Sequence, residues 1–333
     1  MKRTLLGLLK KGGLFALARS ATASSLRILC YHGVWTLPDR PYGENLFMAV
    51  DQFRARMRWL AESGYPVLDL DEAVRLLAAG QLPSRAVVIT IDDGWRSTYT
   101  HMLPILEEYR LPSTLYLATW YADRALPVLN VALGYVIERS SASSLDLSGI
   151  APGLDGSVSM DMPRGVLAQR ICSAIDALPL AARGAAFDMV VRRAGGDPDA
   201  ITAQFRYMAA DEIADARRRG MRIELHTHRH ISAVRNMANL AAEIDENRKA
   251  LQRAGAGERF EHFCYPGGYY TPELEPILAG NGIASATLTR RGLNPPGTHP
   301  LRLRRLLDGW RIEPIMFEAW LAGLFEPIDR HTR

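Results

Sequence analysis

Short apolar runs alternate with stretches of helical period along most of this chain. The apolar runs that predict strands are 26–33, 66–70, 86–94, 113–119, 221–225, 260–265, 284–288 and 301–307. The stretches that predict helices are 50–60, 71–79, 99–109, 210–219, 239–254 and 272–279. A repeated strand-then-helix pattern is typical of a parallel sheet whose two faces are covered. We therefore predict an α/β fold, a distorted (β/α) barrel of about seven parallel strands.

The alternation is interrupted between about residues 120 and 205. This part has two or three amphipathic stretches, a segment rich in serine, glycine and aspartate at 140–159, and a Gly-Gly-Asp-Pro sequence at 195–198. Clusters of these residues mark loops and breaks between helices. We interpret 120–205 as a helical insertion within a barrel domain that covers 26–333.

Residues 1–25 combine leucines with five basic side chains. Lys10, Lys11, Gly12 and Gly13 interrupt the apolar stretch, whereas the apolar core of a secretory signal is uninterrupted. We therefore predict a basic amphipathic helix that lies on a membrane surface or packs against the outside of the barrel. No apolar run reaches the roughly 20 residues of a membrane span. The pattern favours a cytoplasmic protein, with peripheral contact to the inner membrane as one of two roles for the helix.

Charge and cysteine content narrow the class further. The 333 residues carry 40 Lys and Arg against 36 Asp and Glu, a formal charge of +4, which is too small to indicate a nucleic-acid partner. The three cysteines, Cys30, Cys172 and Cys264, are far apart, and two of them lie in apolar runs. This placement is typical of buried thiols in a reducing compartment and not of a disulfide framework.

Two of the predicted strands end in side chains that can carry chemistry. The apolar run 86–91 stops at Asp92 and Asp93, which point to opposite sides of an extended strand and can take different roles. The strand 221–225 is followed by His226 and His230, and imidazole is a frequent ligand of divalent metals. Asp93 with the two histidines would leave positions open for water, whereas a closed structural site would use four ligands.

Four short motifs carry a resemblance to a known family. They are Leu-Cys-Tyr-His-Gly-Val at 29–34, Ile-Asp-Asp-Gly-Trp-Arg-Ser-Thr-Tyr at 91–99, His-Thr-His-Arg-His at 226–230 and Phe-Cys-Tyr-Pro-Gly-Gly at 263–268. Together they resemble motifs of the polysaccharide deacetylases of the NodB-homology type, carbohydrate esterase family 4. The resemblance runs from about Leu26 to Trp320, apart from the insertion.

The resemblance implies a metal-dependent hydrolysis of N-acetyl groups on amino sugars. It makes Asp93, His226 and His230 the ligands of a divalent metal, expected to be zinc, and Asp92 the general base for the attacking water. A backbone N–H near Gly267 would stabilise the tetrahedral oxyanion, because a glycine permits close approach. The products would be a free amine on the sugar and acetate.

The sequence departs from the family's pattern at the residue that orients the base. The third motif of the family usually begins with an arginine, but this chain has Cys264 at that position. Another residue must therefore orient Asp92, and Arg96 is the candidate.

The general acid is the second departure. The last motif of the family supplies a histidine that protonates the leaving amine, whereas the strand near 301–305 offers arginines. We name His299 or His32 as the candidate general acid, with His228 as a third histidine that could substitute. A hydrogen-bonded or solvated histidine without a catalytic role is the alternative for each.

Trp95, Tyr265 and Arg304 are the residues that we expect to bind the sugar. Arg302, Arg304 and Arg305 could together grip an acidic sugar, or they could form a solvated face of the last strand.

Taken together, the sequence predicts a metal-dependent hydrolase that removes N-acetyl groups from amino sugars. Its partner would be an exopolysaccharide, a cell-surface glycan or a lipid-linked precursor, and the site would lie at the C-terminal ends of the strands. One alternative is an amide hydrolase of the same fold that acts on a small metabolite. The other is a glycan-binding module with a degraded site, which the missing arginine and histidine favour.

Overall fold

Seven parallel strands close into a barrel in the computed structural model, which describes residues 2–122, 124 and 126–326. The strands in chain order are β1 (Arg27–Tyr31), β2 (Gly33–Trp35), β3 (Phe47–Ala49), β4 (Val87–Asp93), β5 (Thr114–Leu117), β6 (Ser144–Asp146), β7 (Ser157–Ser159), β8 (Arg222–Leu225), β9 (His262–Cys264), β10 (Ser285–Arg291) and β11 (Leu303–Leu307). The barrel order is β1-β11-β10-β9-β8-β5-β4, closed by pairing of β4 with β1. The predicted barrel is therefore confirmed.

The register brings the C-terminal ends of neighbouring strands to one level. Asp93 lies opposite Leu117 of β5, and Leu117 lies opposite Leu225 of β8. His226 follows Leu225 directly. Because all these strands run in the same direction, the polar residues that end β4 and β8 meet at the same rim of the barrel.

Thirteen α-helices are found in the described residues. They are α1 (Lys2–Lys11), α2 (Leu14–Ala21), α3 (Val50–Glu62), α4 (Leu70–Ala78), α5 (Leu103–Glu108), α6 (Leu129–Arg139), α7 (Arg164–Asp176), α8 (Leu180–Arg193), α9 (Pro198–Phe205), α10 (Ala210–Arg218), α11 (Leu240–Arg253), α12 (Leu274–Gly280) and α13 (Pro314–Leu321). Most of those that follow barrel strands lie within a few residues of the predicted helices.

The strand predicted at 66–70 is wrong. Val67 makes a single bridge to Val87, and no ladder extends from it. Asp69 instead caps α4, since its carboxylate accepts the N–H of Asp71 at 2.9 Å. An aspartate at the N-cap position stabilises a helix start, and this local preference ends the extended segment early.

Tyr121–Ala209 forms a compact unit of its own. It contains α6 to α9 and the β6–β7 hairpin, and its core is formed by side chains such as Leu133, Ile171 and Phe187. The remaining described residues form the barrel unit. The Tyr121–Ala209 unit begins close to residue 120, where the alternation of predicted strands and helices stops in the sequence.

The N-terminal segment forms two helices, which corrects the single helix predicted over 1–25. Gly13 adopts a left-handed backbone with φ of +81° between α1 and α2, a conformation that glycine tolerates best. Leu6 and Phe15 are buried against Ala319 and Ala322 at α13. No helix in the described part of the chain is long and apolar enough to cross a membrane.

Candidate active site

Asp93, His226 and His230 meet at the rim where β4 and β8 end. The Oδ1 atom of Asp93 lies 3.4 Å from Nε2 of His226 and 3.2 Å from Nε2 of His230. Asp93 and His226 are buried, whereas 39% of the His230 side chain is exposed. Burial opposes ionisation of Asp93, but the two histidines outweigh it and hold its pKa well below the usual range. The three predicted ligand atoms therefore form one cluster that is open to solvent on one side.

Neighbouring groups fix the orientation of His226. Its Nδ1 lies 2.8 Å from the carbonyl oxygen of Cys264, so that Nε2 faces Asp93. Asn247 of α11 accepts the backbone N–H of His226 and donates to Leu117 and Thr119. Partners of this kind set the tautomer and direction of a metal-binding histidine. The sequence reasoning missed Asn247, because nothing in the helical pattern distinguishes this residue.

Backbone strain is concentrated at the same place. Five non-glycine residues among those described have positive φ, and three of them are Asp93 (+77°), Thr227 (+59°) and His230 (+55°). Such conformations cost energy and persist where the surrounding structure holds them, often at functional sites. These backbone conformations occur where the side chains of Asp93 and His230 come together.

Arg305 orients Asp92. Its Nη1 and Nη2 donate to the two carboxylate oxygens of Asp92 at 2.7 and 2.6 Å, and both side chains are buried. Burial by itself would raise the pKa of Asp92, but the charge and hydrogen bonds of Arg305 lower it to about 2. Asp92 is therefore a fixed, ionised carboxylate at neutral pH, as a general base must be.

This pair corrects two expectations from the sequence. Arg96 does not reach Asp92, since its Nε donates to Glu212 at 2.7 Å. Arg305 is fully buried and belongs neither to a solvated face nor to a surface grip on an acidic sugar. The sequence contains one indication that Arg305 is buried. In Leu-Arg-Leu-Arg-Arg-Leu-Leu at 301–307, alternation along the strand places Arg305 on the same face as the leucines at 301, 303 and 307.

Of the two histidines named as the candidate general acid, His32 is the one that lies beside Asp92. Its Nε2 lies 3.9 Å from Oδ2 of Asp92, and 17% of its side chain is exposed. Its Nδ1 has no hydrogen-bond partner among the described residues. His299 instead accepts the N–H of Leu301 and lies 3.8 Å from Glu275.

His228 has a structural partner. Its Nδ1 lies 2.8 Å from Oγ1 of Thr119, and its carbonyl oxygen accepts the N–H of Trp120. These bonds connect the loop after β8 to the end of β5, which supports the positions of His226 and His230.

The three residues expected to bind the sugar have other contacts. Trp95 is 1% exposed and donates its indole N–H to Asp93 at 2.9 Å, so it holds this carboxylate in place and offers no surface to a sugar. Tyr265 is also fully buried and donates its hydroxyl to the carbonyl of Leu301. Arg304 faces a separate cavity with Pro296 and Glu326. The prediction of direct sugar contact is therefore wrong for Trp95 and Tyr265.

Gly267 lies in a tight turn after β9. Its φ is +68°, and a Cβ atom at this position would come within 2.9 Å of the Tyr269 ring. The turn follows Cys264, whose carbonyl contacts His226. A residue with a side chain would therefore be both strained and blocked here, which accounts for a glycine at this turn.

Three groups of side chains in the described residues have the spacing of metal ligands. They are Asp93 with His226 and His230, Asp92 with His226 and Cys264, and Asp92 with Cys30 and His32. Both groups that contain Asp92 lie against the guanidinium of Arg305, whose positive charge would repel a cation. Within the part of the chain that the structure describes, the Asp93 group has no arginine or lysine among its hydrogen-bond partners, and it is partly open. Its donor set fits a divalent metal best.

The fold and the site define a class of barrel proteins with a carboxylate pair after one strand and a His-x-x-x-His loop after another. Residues 79–286 match the family described as polysaccharide deacetylase. This match covers more than half of the chain, so the chain belongs to the polysaccharide deacetylase family, and the resemblance of the motifs is confirmed.

Relatives of known name share shorter stretches. The chain is 28% identical over 136 residues to YxkH of Bacillus subtilis (strain 168), a match of 39% of this chain and 47% of that protein. It is 33% identical over 82 residues to the poly-beta-1,6-N-acetyl-D-glucosamine N-deacetylase of Escherichia coli (strain K12), 24% of this chain and 12% of that protein. The chain therefore spans about half or less of the length of these relatives.

Solved structures agree in fold. The Streptococcus pyogenes deacetylase PplD, in complex with acetate, superposes with a TM-score of 0.60 at 17% identity, covering 90% of this chain and 99% of that chain. IcaB from Ammonifex degensii superposes with a TM-score of 0.57 at 18% identity, covering 90% and 97%. At these identities the likeness establishes the fold alone, a barrel with surrounding helices.

Proposed function

We propose that this protein is a metal-dependent hydrolase that removes N-acetyl groups from the amino sugars of a glycan. The observation that carries the proposal is the adjacency of two differently held carboxylates at the end of β4. Asp92 is held by Arg305 and Asp93 faces two histidines. Environments that separate two neighbouring carboxylates in this way are typical of a base and a ligand in one site.

Asp93, His226 and His230 would hold the metal, for which we propose zinc. When bound, such an ion polarises a carbonyl and lowers the pKa of water in its coordination sphere. Asp92 takes the proton of the attacking water, and Arg305 keeps its carboxylate ionised and fixed. His32, whose Nε2 lies 3.9 Å from Oδ2 of Asp92, gives a proton to the leaving amine. The backbone N–H at Gly267 donates to the oxyanion.

A polymer of N-acetylglucosamine or a related glycan is the substrate class that we propose. The support is the family itself and a relative named for poly-beta-1,6-N-acetyl-D-glucosamine. Burial of Trp95 and Tyr265 leaves sugar recognition to other residues at the rim, and Tyr269, which is 58% exposed beside Gly267, is placed to contact a sugar ring.

Release of amine and acetate from an N-acetylglucosamine oligomer tests the proposal. We expect turnover by the purified protein, loss of turnover after chelation and recovery with added zinc. Turnover of a small N-acetylated metabolite but of no glycan oligomer would favour the alternative amide hydrolase. Glycan binding without turnover, by protein that retains no metal, would favour the binding module and contradict the proposal.

We also propose that α1 and α2 lie on an anionic membrane surface. Leu5, Leu8, Leu14 and Leu17 are 38–65% exposed although α1 and α2 bury Leu6 and Phe15. An apolar hollow of about 460 Å³ opens between α1 and α13 beside these leucines. Lys11 is exposed next to them, and Lys10 pairs with Glu318. Leucines bordered by cations suit an acyl boundary with anionic headgroups, whereas a second copy would bring like charges together.

Vesicle sedimentation tests the membrane contact. We expect binding to phosphatidylserine vesicles and little binding to phosphatidylcholine vesicles, with the double variant Leu8→Asp, Leu17→Asp losing at least about tenfold in partition. Val166→Asp is the control, because Val166 is 57% exposed on α7 of the other unit. Unchanged vesicle binding by the double variant would contradict the proposal. A wild-type protein that is dimeric and a double variant that is monomeric would also contradict it. The cytoplasmic location stays a prediction.

A further inference from the structure

A cavity lies on the outside of the barrel between β10 and β11. The connection between these two strands contains no α-helix and only a short turn at Pro300–Arg302. Helices normally cover the outside of each strand in a barrel of this type. Here the loop leaves a cavity of about 770 Å³, which falls within the usual range for sites that bind an organic ligand and is far larger than a site for one ion.

Neighbouring arginines of β11 point to opposite sides of the barrel wall. Arg305 points inward to Asp92, so Arg304 points outward, as alternation along a strand requires. Arg304 lines the outer cavity with Tyr270, Arg290, Arg302 and Glu326. The cavity thus has three arginines against one glutamate and is separate from the site of hydrolysis.

Arg302 and Glu326 already have partners. Arg302 donates from Nε and Nη2 to Glu275 at 2.5 and 3.2 Å, and these hydrogen bonds lower the pKa of Glu275 to about 2, so Glu275 is ionised and balances Arg302. Oε1 of Glu326 accepts the N–H of Leu293 at 2.6 Å.

Arg304 differs from its neighbours. Within residues 2–122, 124 and 126–326, its guanidinium has no hydrogen bond or ion pair, although its backbone N–H is bound by Asn294. A guanidinium with its donors free in a partly enclosed cavity is suited to a carboxylate, which it can bind through two parallel hydrogen bonds.

The cavity adjoins the loop that leads from the active site. Tyr270 forms one wall, and its ring packs against Tyr265 at 5.6 Å between centroids. Tyr265 follows Cys264, whose thiol lies 3.4 Å from Asp92. One wall of the cavity therefore packs against the segment that follows β9, which also supplies groups next to Asp92.

We propose that this cavity is a second carbohydrate-binding site that takes a carboxylate-bearing sugar, with Arg304 as the contact to the carboxylate. Tyr270, Pro295 and Pro296 supply apolar surface for the sugar ring. The inference deepens the proposed function, since it assigns acidic residues to the glycan that the protein acts on. It separates this chain from a relative whose named substrate is a neutral polymer.

Calorimetric titration with a glucuronate trisaccharide tests the site. The reference ligand is the same trisaccharide with its carboxylates reduced to alcohols, and neither ligand carries an N-acetyl group, so no turnover occurs. We expect the acidic trisaccharide to bind at least about tenfold more tightly than the reduced one, and Arg304→Gln to remove that difference. Arg304→Lys should restore part of it, and Arg253→Gln, which removes an exposed arginine from α11, should change nothing.

Equal binding of both trisaccharides, or unchanged preference in Arg304→Gln, would overturn the inference. Displacement of the trisaccharide by an equal concentration of inorganic phosphate would also overturn it, because the site would then recognise a bare anion. The titration requires no catalysis. If the proposed hydrolysis is not observed, the titration still measures whether the acidic trisaccharide is preferred. If that preference is not observed, the hydrolysis assay is unaffected.

Discussion

Two aspartate–arginine pairs are buried at the same end of the barrel. One is Asp92 with Arg305, and the other is Asp308 with Arg56. Asp92 is the second-last residue of β4 and Asp308 directly follows β11, and none of the four side chains is more than 4% exposed. Arg305 donates to both oxygens of Asp92, whereas only Nε of Arg56 donates to Asp308, at 2.9 Å. The same pair of residue types therefore occurs in two hydrogen-bonding arrangements.

The two carboxylates respond in opposite directions. Burial raises the pKa of Asp308, and the opposing effect of Arg56, Gly309 and Tyr31 is smaller, so the pKa stays above its usual value. Arg305 instead lowers the pKa of Asp92 to about 2. Arg56 also donates to the carbonyl of Ile312, which joins α3 to the segment before α13. Asp92 has His32 and two thiols beside it. The comparison teaches that the groups around a buried aspartate–arginine pair decide whether the pKa of its carboxylate rises or falls.

Asp92→Asn should have the largest effect on activity. The amide keeps the shape of the side chain but cannot take a proton, so we expect the rate of deacetylation to fall about a thousandfold. Zinc content and the unfolding midpoint serve as controls, and zinc should stay bound because Asp93, His226 and His230 are intact. Activity within tenfold of the wild type would remove Asp92 from its proposed role.

Arg56→Met should act on stability and leave the chemistry intact. It leaves the Asp308 carboxylate buried without its cation, a change that costs about 3–5 kcal/mol in comparable pairs. Urea unfolding measures the loss, and kcat of the folded fraction should stay close to that of the wild type. If this variant does not fold, Asp308→Asn, which removes the charge and keeps the shape, provides the same comparison. A fall in kcat with unchanged stability would reverse the roles of the two pairs.

Arg305→Lys should reduce turnover by a smaller factor. Lysine keeps the positive charge but cannot make two parallel hydrogen bonds, so Asp92 stays ionised and loses its fixed orientation. We expect kcat to fall by about ten- to a hundredfold with little change in KM. Arg96→Lys is the matched control, because Arg96 binds Glu212 instead. Equal effects of the two substitutions would contradict the assignment.

His262→Gln should change only the dependence of stability on pH. Burial keeps His262 neutral and lowers its pKa to about 4, from the usual value near 6.5. The unfolded chain therefore binds a proton that the folded chain does not between these values, and stability is lost as the pH falls from about 6.5 toward 4. We expect the free energies of unfolding of wild type and variant to converge by about 1–2 kcal/mol between pH 7 and pH 5. A constant difference would show that His262 does not titrate there.

Local sequence signals sufficed for most of the fold and for the cluster of Asp93, His226 and His230. The alternation of apolar runs with helical periods predicts the barrel, because a strand buried on both faces and a helix that covers it have different periods. Asp93, His226 and His230 are predictable because each ends a strand or lies just beyond it, and parallel strands bring such ends together. The strand expected at 66–70 fails because the N-cap at Asp69 competes with extension.

The sequence by itself determined the type of barrel and the residues at its rim, whereas the tertiary structure decided which side chains support them. Arg304 and Arg305 are neighbours in an apolar strand, and only closure of the barrel decides that Arg305 meets Asp92 and Arg304 faces outward. Trp95 likewise follows the aspartates in sequence, but the packing around it turns its indole N–H to Asp93. Periodicity is a local property of the chain, while the partner of a buried polar group depends on residues more than two hundred positions away.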